Sequence, residues 1–150
     1  RMLELGSKHV ADAKQKIDKS NQARNDLITA IDVEITNRMK LSRSNTQGKF
    51  YSESPGIIID RLAILYIRLS VIRDLLTLIK KEKDLKEEYE EKEHVILKQI
   101  KLLGSFLDDY FKKMKHKEVF FEIQRPVKIY NDTRIKKYFN VLQNRRKKGQ

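Results

Sequence analysis

Residues Glu53–Leu65 read ESPGIIIDRLAIL. Ser54 is a favoured helix-capping residue. Pro55 follows where a helix would begin, a position that tolerates its fixed φ and missing N–H. A run of apolar residues comes next, interrupted by Asp60 and Arg61. Charges in a packed setting need partners, because taking them out of water is costly. The stretch therefore predicts a packed helix that starts at Pro55 and carries a polar feature.

Working outward, the apolar pattern continues at helical spacing. Ile58, Leu62, Leu65, Leu69, Ile72, Leu76 and Ile79 form one stripe. Ile57, Arg61, Ile64, Arg68, Val71, Leu75 and Leu78 form another. A helix apolar on two sides belongs at the centre of a bundle. This one is expected to end near Lys81. Upstream, Val10, Ala13, Ile17, Asn21, Arg24, Ile28, Ile31 and Ile35 alternate spacings of three and four, predicting a helix over 7–39. The connection 41–53 is long for a helix–helix link. Downstream, Leu85, Tyr89, Lys92, Ile96, Gln99, Leu103, Phe106 and Tyr110 mark a third helix over 84–115, either set off by a tight turn near Lys81–Asp84 or, since no Gly or Pro intervenes, continuous with the second as one long helix. Gly104 falls inside that helix, where glycine costs about 1 kcal/mol relative to alanine.

Beyond Lys115 the texture changes. Val119–Ile123, VFFEI, is a short β-prone run that Pro126 breaks. Val127–Tyr130 extends again, Asn131-Asp132 is a turn or cap, and residues 134–142 form a short helix. Gln143–Gln150 reads as disordered.

Composition narrows the classes. The chain has 150 residues, 39% apolar and 36% charged, enough for one domain with a real core. It has no cysteine, which removes disulfides and thiolate chemistry and is compatible with a reducing, cytoplasmic compartment. No apolar run approaches the ~20 residues that span a bilayer. The chain starts at Arg1 rather than Met, so a segment upstream is allowed for. The net charge of +12 is unevenly placed. Residues 112–150 hold 13 Lys/Arg against 3 Asp/Glu, whereas residues 1–111 hold 20 against 18. A nearly neutral body with a basic end points to an acidic partner: nucleic acid, an anionic surface or an acidic protein.

Three segments, KIDKSNQARNDLITAID (16–32), ESPGIIIDRLAIL (53–65) and VKIYND (127–132), together resemble a bacterial family known as domain of unknown function 4254. Matching positions are Ile17, Asp18, Asn21, Gln22, Arg24, Asp26 and Asp32; then Ser54, Pro55, Ile59, Asp60, Arg61 and Leu62; then Lys128, Tyr130, Asn131 and Asp132. The resemblance implies a small, mainly helical bundle with no established activity. It also implies a preceding helix with an aromatic–His pair and acidic residues, in whose place this chain has RMLELGSKH.

Polar interruptions of the stripes supply the candidate site. If the first two helices face each other, Asn21, Arg24, Asp60, Arg61 and Arg68 converge, with Asp32 nearby. Such a set either fixes helix register without a ligand, or holds a phosphate or carboxylate between guanidinium forks. A catalytic use would need Asp60 or Asp32 as a base. The basic end supplies a second candidate: Lys112 and Lys113, Lys136 and Lys137, and Arg145, Arg146, Lys147 and Lys148, with Tyr138 and Phe139 among them. These can neutralise phosphates while the aromatics stack on bases or enter a membrane interface.

Other chemistry is not indicated. Glu91-x-x-His94 has the spacing used in di-metal bundles, but His9 and His116 have no acid three positions before them to make a second copy. The five glycines are scattered, and no nucleophile elbow is present. No cofactor or metal is expected.

The expectation is an all-α fold: an antiparallel three- to four-helix bundle over 1–118, an extension over 119–142 packing on it, and a disordered basic tail over 143–150. The expected function is a non-enzymatic interaction module whose basic end meets an acidic partner. The alternatives are an anionic-metabolite or catalytic pocket at Asn21, Arg24, Asp60 and Arg61, and a subunit of a larger helical assembly through homo- or hetero-oligomeric helical faces.

Overall fold

The computed structural model describes residues 2–41, 48–125, 127, 129 and 132–149. The protein is mainly helical. Helix α1 spans Met2–Arg38, α2 spans Pro55–Leu78, α3 spans Lys83–Lys115 and α4 spans Lys136–Lys148. The described residues include one pair of two-residue strands, β1 (Lys49–Phe50) and β2 (Val119–Phe120), which run parallel.

The start of α2 follows from its sequence. Ser54 takes an extended backbone, and its hydroxyl oxygen accepts from the Ile57 N–H at 3.4 Å, with Pro55 leading the helix. The helix stops at Leu78, short of the expected Lys81, because the Ile79 backbone leaves helical ψ while its N–H still bonds the Leu75 carbonyl. Residues 79–82 turn the chain directly into α3.

The packing uses the first α2 stripe. Leu69 and Ile72 are buried against Ile96 of α3, with Leu65, Leu76, Tyr89 and Ile100 around them. At the other end of both helices, Ile58 packs with Tyr110, Met114, Val119 and Phe121, joined by Ile35, Met39 and Leu41 from the end of α1. So α2 contacts both long neighbours, but its second stripe does not pack as the two-sided apolar pattern predicts: Arg61, Arg68, Val71 and Leu78 are exposed.

The expectation that the α1 stripe packs along its whole length is corrected. Residues 6–21 are all exposed, Val10 and Ile17 included; inward-facing residues begin in earnest at Ile28. The stripe is interrupted at Asn21 and Arg24, so its N-terminal part offers too little apolar surface to hold α1 against α2.

Both α1 and α3 end on a lysine in the left-handed region. Lys40 has φ 50° and Lys117 φ 60°. In each case two backbone bonds close the helix end: Lys40 N–H to the Asn37 carbonyl and Leu41 N–H to that of Thr36, then Lys117 N–H to Met114 and Glu118 N–H to Lys113. Lys117 Nζ also donates to the Met39 carbonyl at 2.8 Å, tying the two helix ends together.

The β-prone run narrows to Val119–Phe120, and its partner lies in what the sequence suggests is a plain connection. Gly48 permits the approach: a Cβ there would sit 2.5 Å from the Glu118 carbonyl oxygen. Two further expectations are corrected at the C-terminus. The short helix begins at Lys136, and it runs on to Lys148 through the segment expected to be disordered. Lys128, Tyr130 and Asn131, matched above to the family pattern, lie outside the described residues.

Candidate functional site

The joint between α1 and α2 is the most buried polar feature. Asp32 is 3% exposed and Ser54 also 3%. The Asp32 carboxylate accepts the Gly56 N–H at 2.7 Å and bonds the Ser54 hydroxyl. It thus satisfies donors at the first turn of α2, where a negative charge is favoured. Burial pushes the Asp32 carboxyl above its ordinary range, and the bonds from Ser54 and Gly56 work against that. Gly56 is required by closeness: a Cβ would stand 2.7 Å from both Asp32 Oδ1 and the Ile28 carbonyl oxygen.

The five interrupting residues do not converge, which corrects the expected cleft. Arg24 reaches Asp60 at 3.3 Å on the α1 side of α2, with the Arg24 side chain half exposed. Arg61 turns the other way and grips Glu53 with both terminal nitrogens, at 2.7 and 2.5 Å. Asn21 is exposed on the unpacked part of α1. Arg68 is exposed on the α3 side and has no hydrogen-bond or ion-pair partner among the described residues. Adjacent helical positions point about 100° apart, so Asp60 and Arg61 serve different faces.

Arg61 and Arg68 instead border an open groove of about 580 Å³ between α2 and α3. Its floor is Ile64, Leu65, Leu102, Leu103 and Phe106, with Gln99 at the rim. Glu53 and Phe106 are the site residues that sequence reasoning missed. Glu53 opens the decisive stretch and stands eight residues before Arg61, a separation that suggests a pair only once the chain is seen to turn at Ser54. Its backbone carbonyl is also held, by the Tyr110 hydroxyl at 3.0 Å. Burial and the nearby Asp32 charge raise the Tyr110 hydroxyl well above the usual phenol range, so it stays a donor.

The basic candidates divide between two helices. Lys112 and Lys113 lie in the last turn of α3, with Lys113 Nζ 3.0 Å from Asp109. Lys136 and Lys137 open α4, and Arg145, Arg146, Lys147 and Lys148 form its last turn. α4 contains no Asp or Glu and no buried residue, and among the described residues no other helix or strand packs on it. Lys137 Nζ lies 5.1 Å from the Tyr138 ring centre. Glu91 and His94 are exposed, and no group of three metal-ligating side chains forms among the described residues. None of the described helices is long and apolar enough to cross a membrane.

The family model described as protein of unknown function (DUF4254) matches residues 1–123. The chain belongs to this family. The match takes in both the joint at Asp32 and the groove, and it stops before VKIYND and α4. No curated protein matches the chain, and no solved structure does.

Proposed function

We propose that this family member is a helical interaction module, with an antiparallel bundle over 1–118 as scaffold and the basic C-terminal end as the part that meets an acidic partner. The observation that supports this reading is α4 itself. It gathers Lys136, Lys137, Arg145, Arg146, Lys147 and Lys148 on 13 residues with no carboxylate, none of its residues is fully buried, and no described helix or strand packs on it. A helix that serves only the fold would place an apolar face on the core. Unpaired cations instead raise the local concentration of polyanions and release their counterions on binding.

The test is binding of the full chain to heparin at increasing salt. Affinity should fall steeply with salt. Replacing the six α4 cations by Gln should weaken binding at least about tenfold and flatten the salt dependence. Equal binding by that variant would overturn the reading.

A second reading has its own support, in the groove. Arg68 lacks a hydrogen-bond or ion-pair partner among the described residues and stands beside an apolar floor of a size that suits small molecules. A ligand with one anionic head and an apolar tail fits that chemistry. Decanoate should then raise the melting temperature of the wild type, and Arg68→Leu should abolish the rise. Because Arg68 is exposed and unpaired, the variant should fold normally. An unchanged rise in Arg68→Leu would remove this reading.

A further inference from the structure

The acidic partner of α4 can be narrowed, on the reading that α4 is an anion-binding element. We propose that α4 is an interfacial anchor for a bilayer containing anionic lipids.

The argument starts from which α4 side chains remain in water. Ile135, just before the helix, and Phe139 are half-buried. Tyr138, Val141 and Leu142 are 57%, 48% and 50% exposed. With Arg145 they stand at spacings of three, four and seven, so they share one face. Lys137 and Lys148 border that face on one side and Arg146 on the other. The exposed surface is therefore a short apolar strip edged by cations and closed at its C-terminal end by Arg145.

Two kinds of polyanion compete for such a surface. A nucleic-acid backbone satisfies the cations but offers nothing for Val141 and Leu142, which would stay in water. A bilayer satisfies both. Its anionic headgroups meet the Lys and Arg side chains, and the boundary below them accepts the valine, leucine and tyrosine ring. Tyr138 suits this boundary, since its ring is apolar and its hydroxyl stays wet. At 13 residues α4 is about 20 Å long, so it lies along the surface rather than crossing it. The cationic stems of Lys137 and Lys148 can extend upward to the headgroups.

The experiment uses the full chain, sedimented with vesicles of phosphatidylcholine alone or mixed with phosphatidylglycerol, and titrated in parallel with duplex DNA. Two variants accompany it: Tyr138, Val141 and Leu142 all to Ser, and the six α4 cations all to Gln. All these side chains are off the core, so both variants should retain the melting temperature of the body. The expected result is sedimentation with phosphatidylglycerol vesicles only. The Ser variant should lose about tenfold or more on vesicles while its DNA titration is unchanged. The Gln variant should lose vesicle binding altogether. DNA binding without vesicle binding overturns the bilayer proposal and leaves the acidic-partner reading standing. A Ser variant that matches wild type on vesicles, or a Gln variant that still binds them, overturns it too. Binding to neither probe overturns the bilayer proposal, and failure to bind heparin as well overturns the acidic-partner reading.

Discussion

Asp32 shows how much one carboxylate can decide. It joins two helices through a backbone N–H and a hydroxyl rather than through a countercharge. Asp32→Ala strands the buried Gly56 N–H and the Ser54 hydroxyl, so it should cost about 2–3 kcal/mol, measured by urea unfolding. Asp32→Asn keeps an oxygen for Gly56 and should cost less. The pH dependence has a definite sign. Because burial raises the Asp32 carboxyl above its ordinary 3.8, the folded chain holds this proton more firmly than the unfolded chain does. Stability attributable to Asp32 therefore declines as pH rises from about 4 through the folded value, and is flat above it. The difference in unfolding free energy between wild type and Asp32→Asn should show that slope; a difference that grows with pH would contradict it. Sequence alone could place Asp32 near the polar set, but not against Gly56. The pairing needs the glycine's missing Cβ and the crossing of α1 over the start of α2, neither of which is a local property.

At the level of elements, the two central helices were legible because their signals are dense. Ser54-Pro55 sets the start of α2, and seven apolar positions of one stripe are buried or half-buried as the period requires. The strands were not legible as a pair. Lys49–Phe50 carries no alternation, and its pairing depends on Gly48 meeting Glu118 from a distant part of the chain. The left-handed lysines were equally hidden, since such positions usually advertise themselves with glycine. Among the described residues, the Lys40 side chain makes no hydrogen bond or ion pair that would explain its retention there. Lys40→Gly should relieve the strained backbone and stabilise the protein by about 0.5–1 kcal/mol, seen as a higher melting temperature. Lys117→Gly should gain less, because it also removes the bond from Nζ to the Met39 carbonyl.

For the molecule as a whole, the charge asymmetry was readable from a count of residues, and the mainly helical class from period alone. The location of the polar site was only half readable. The stripes named Arg24, Asp60, Arg61 and Arg68, but a shared cleft required all of them to meet on one face of α2, packed against α1 along its length. Instead Arg24 meets Asp60 on one face, Arg61 and Arg68 lie on another, and residues 6–21 are exposed. The polar set therefore separates into a joint on one side of α2 and a groove on the other. Ionic interactions at both places are partly exposed, so each contributes about 1 kcal/mol or less to stability. Their value lies in orienting side chains.

The small strand pair has a kinetic consequence. β1 and β2 join residues some 70 positions apart, around a loop that contains α2 and α3. Sealing so large a loop gains little until those helices have met, so the fastening step comes late on the folding route. Gly48→Ala, which forces a Cβ into the Glu118 carbonyl, should then speed unfolding in stopped-flow traces while leaving the refolding rate nearly unchanged.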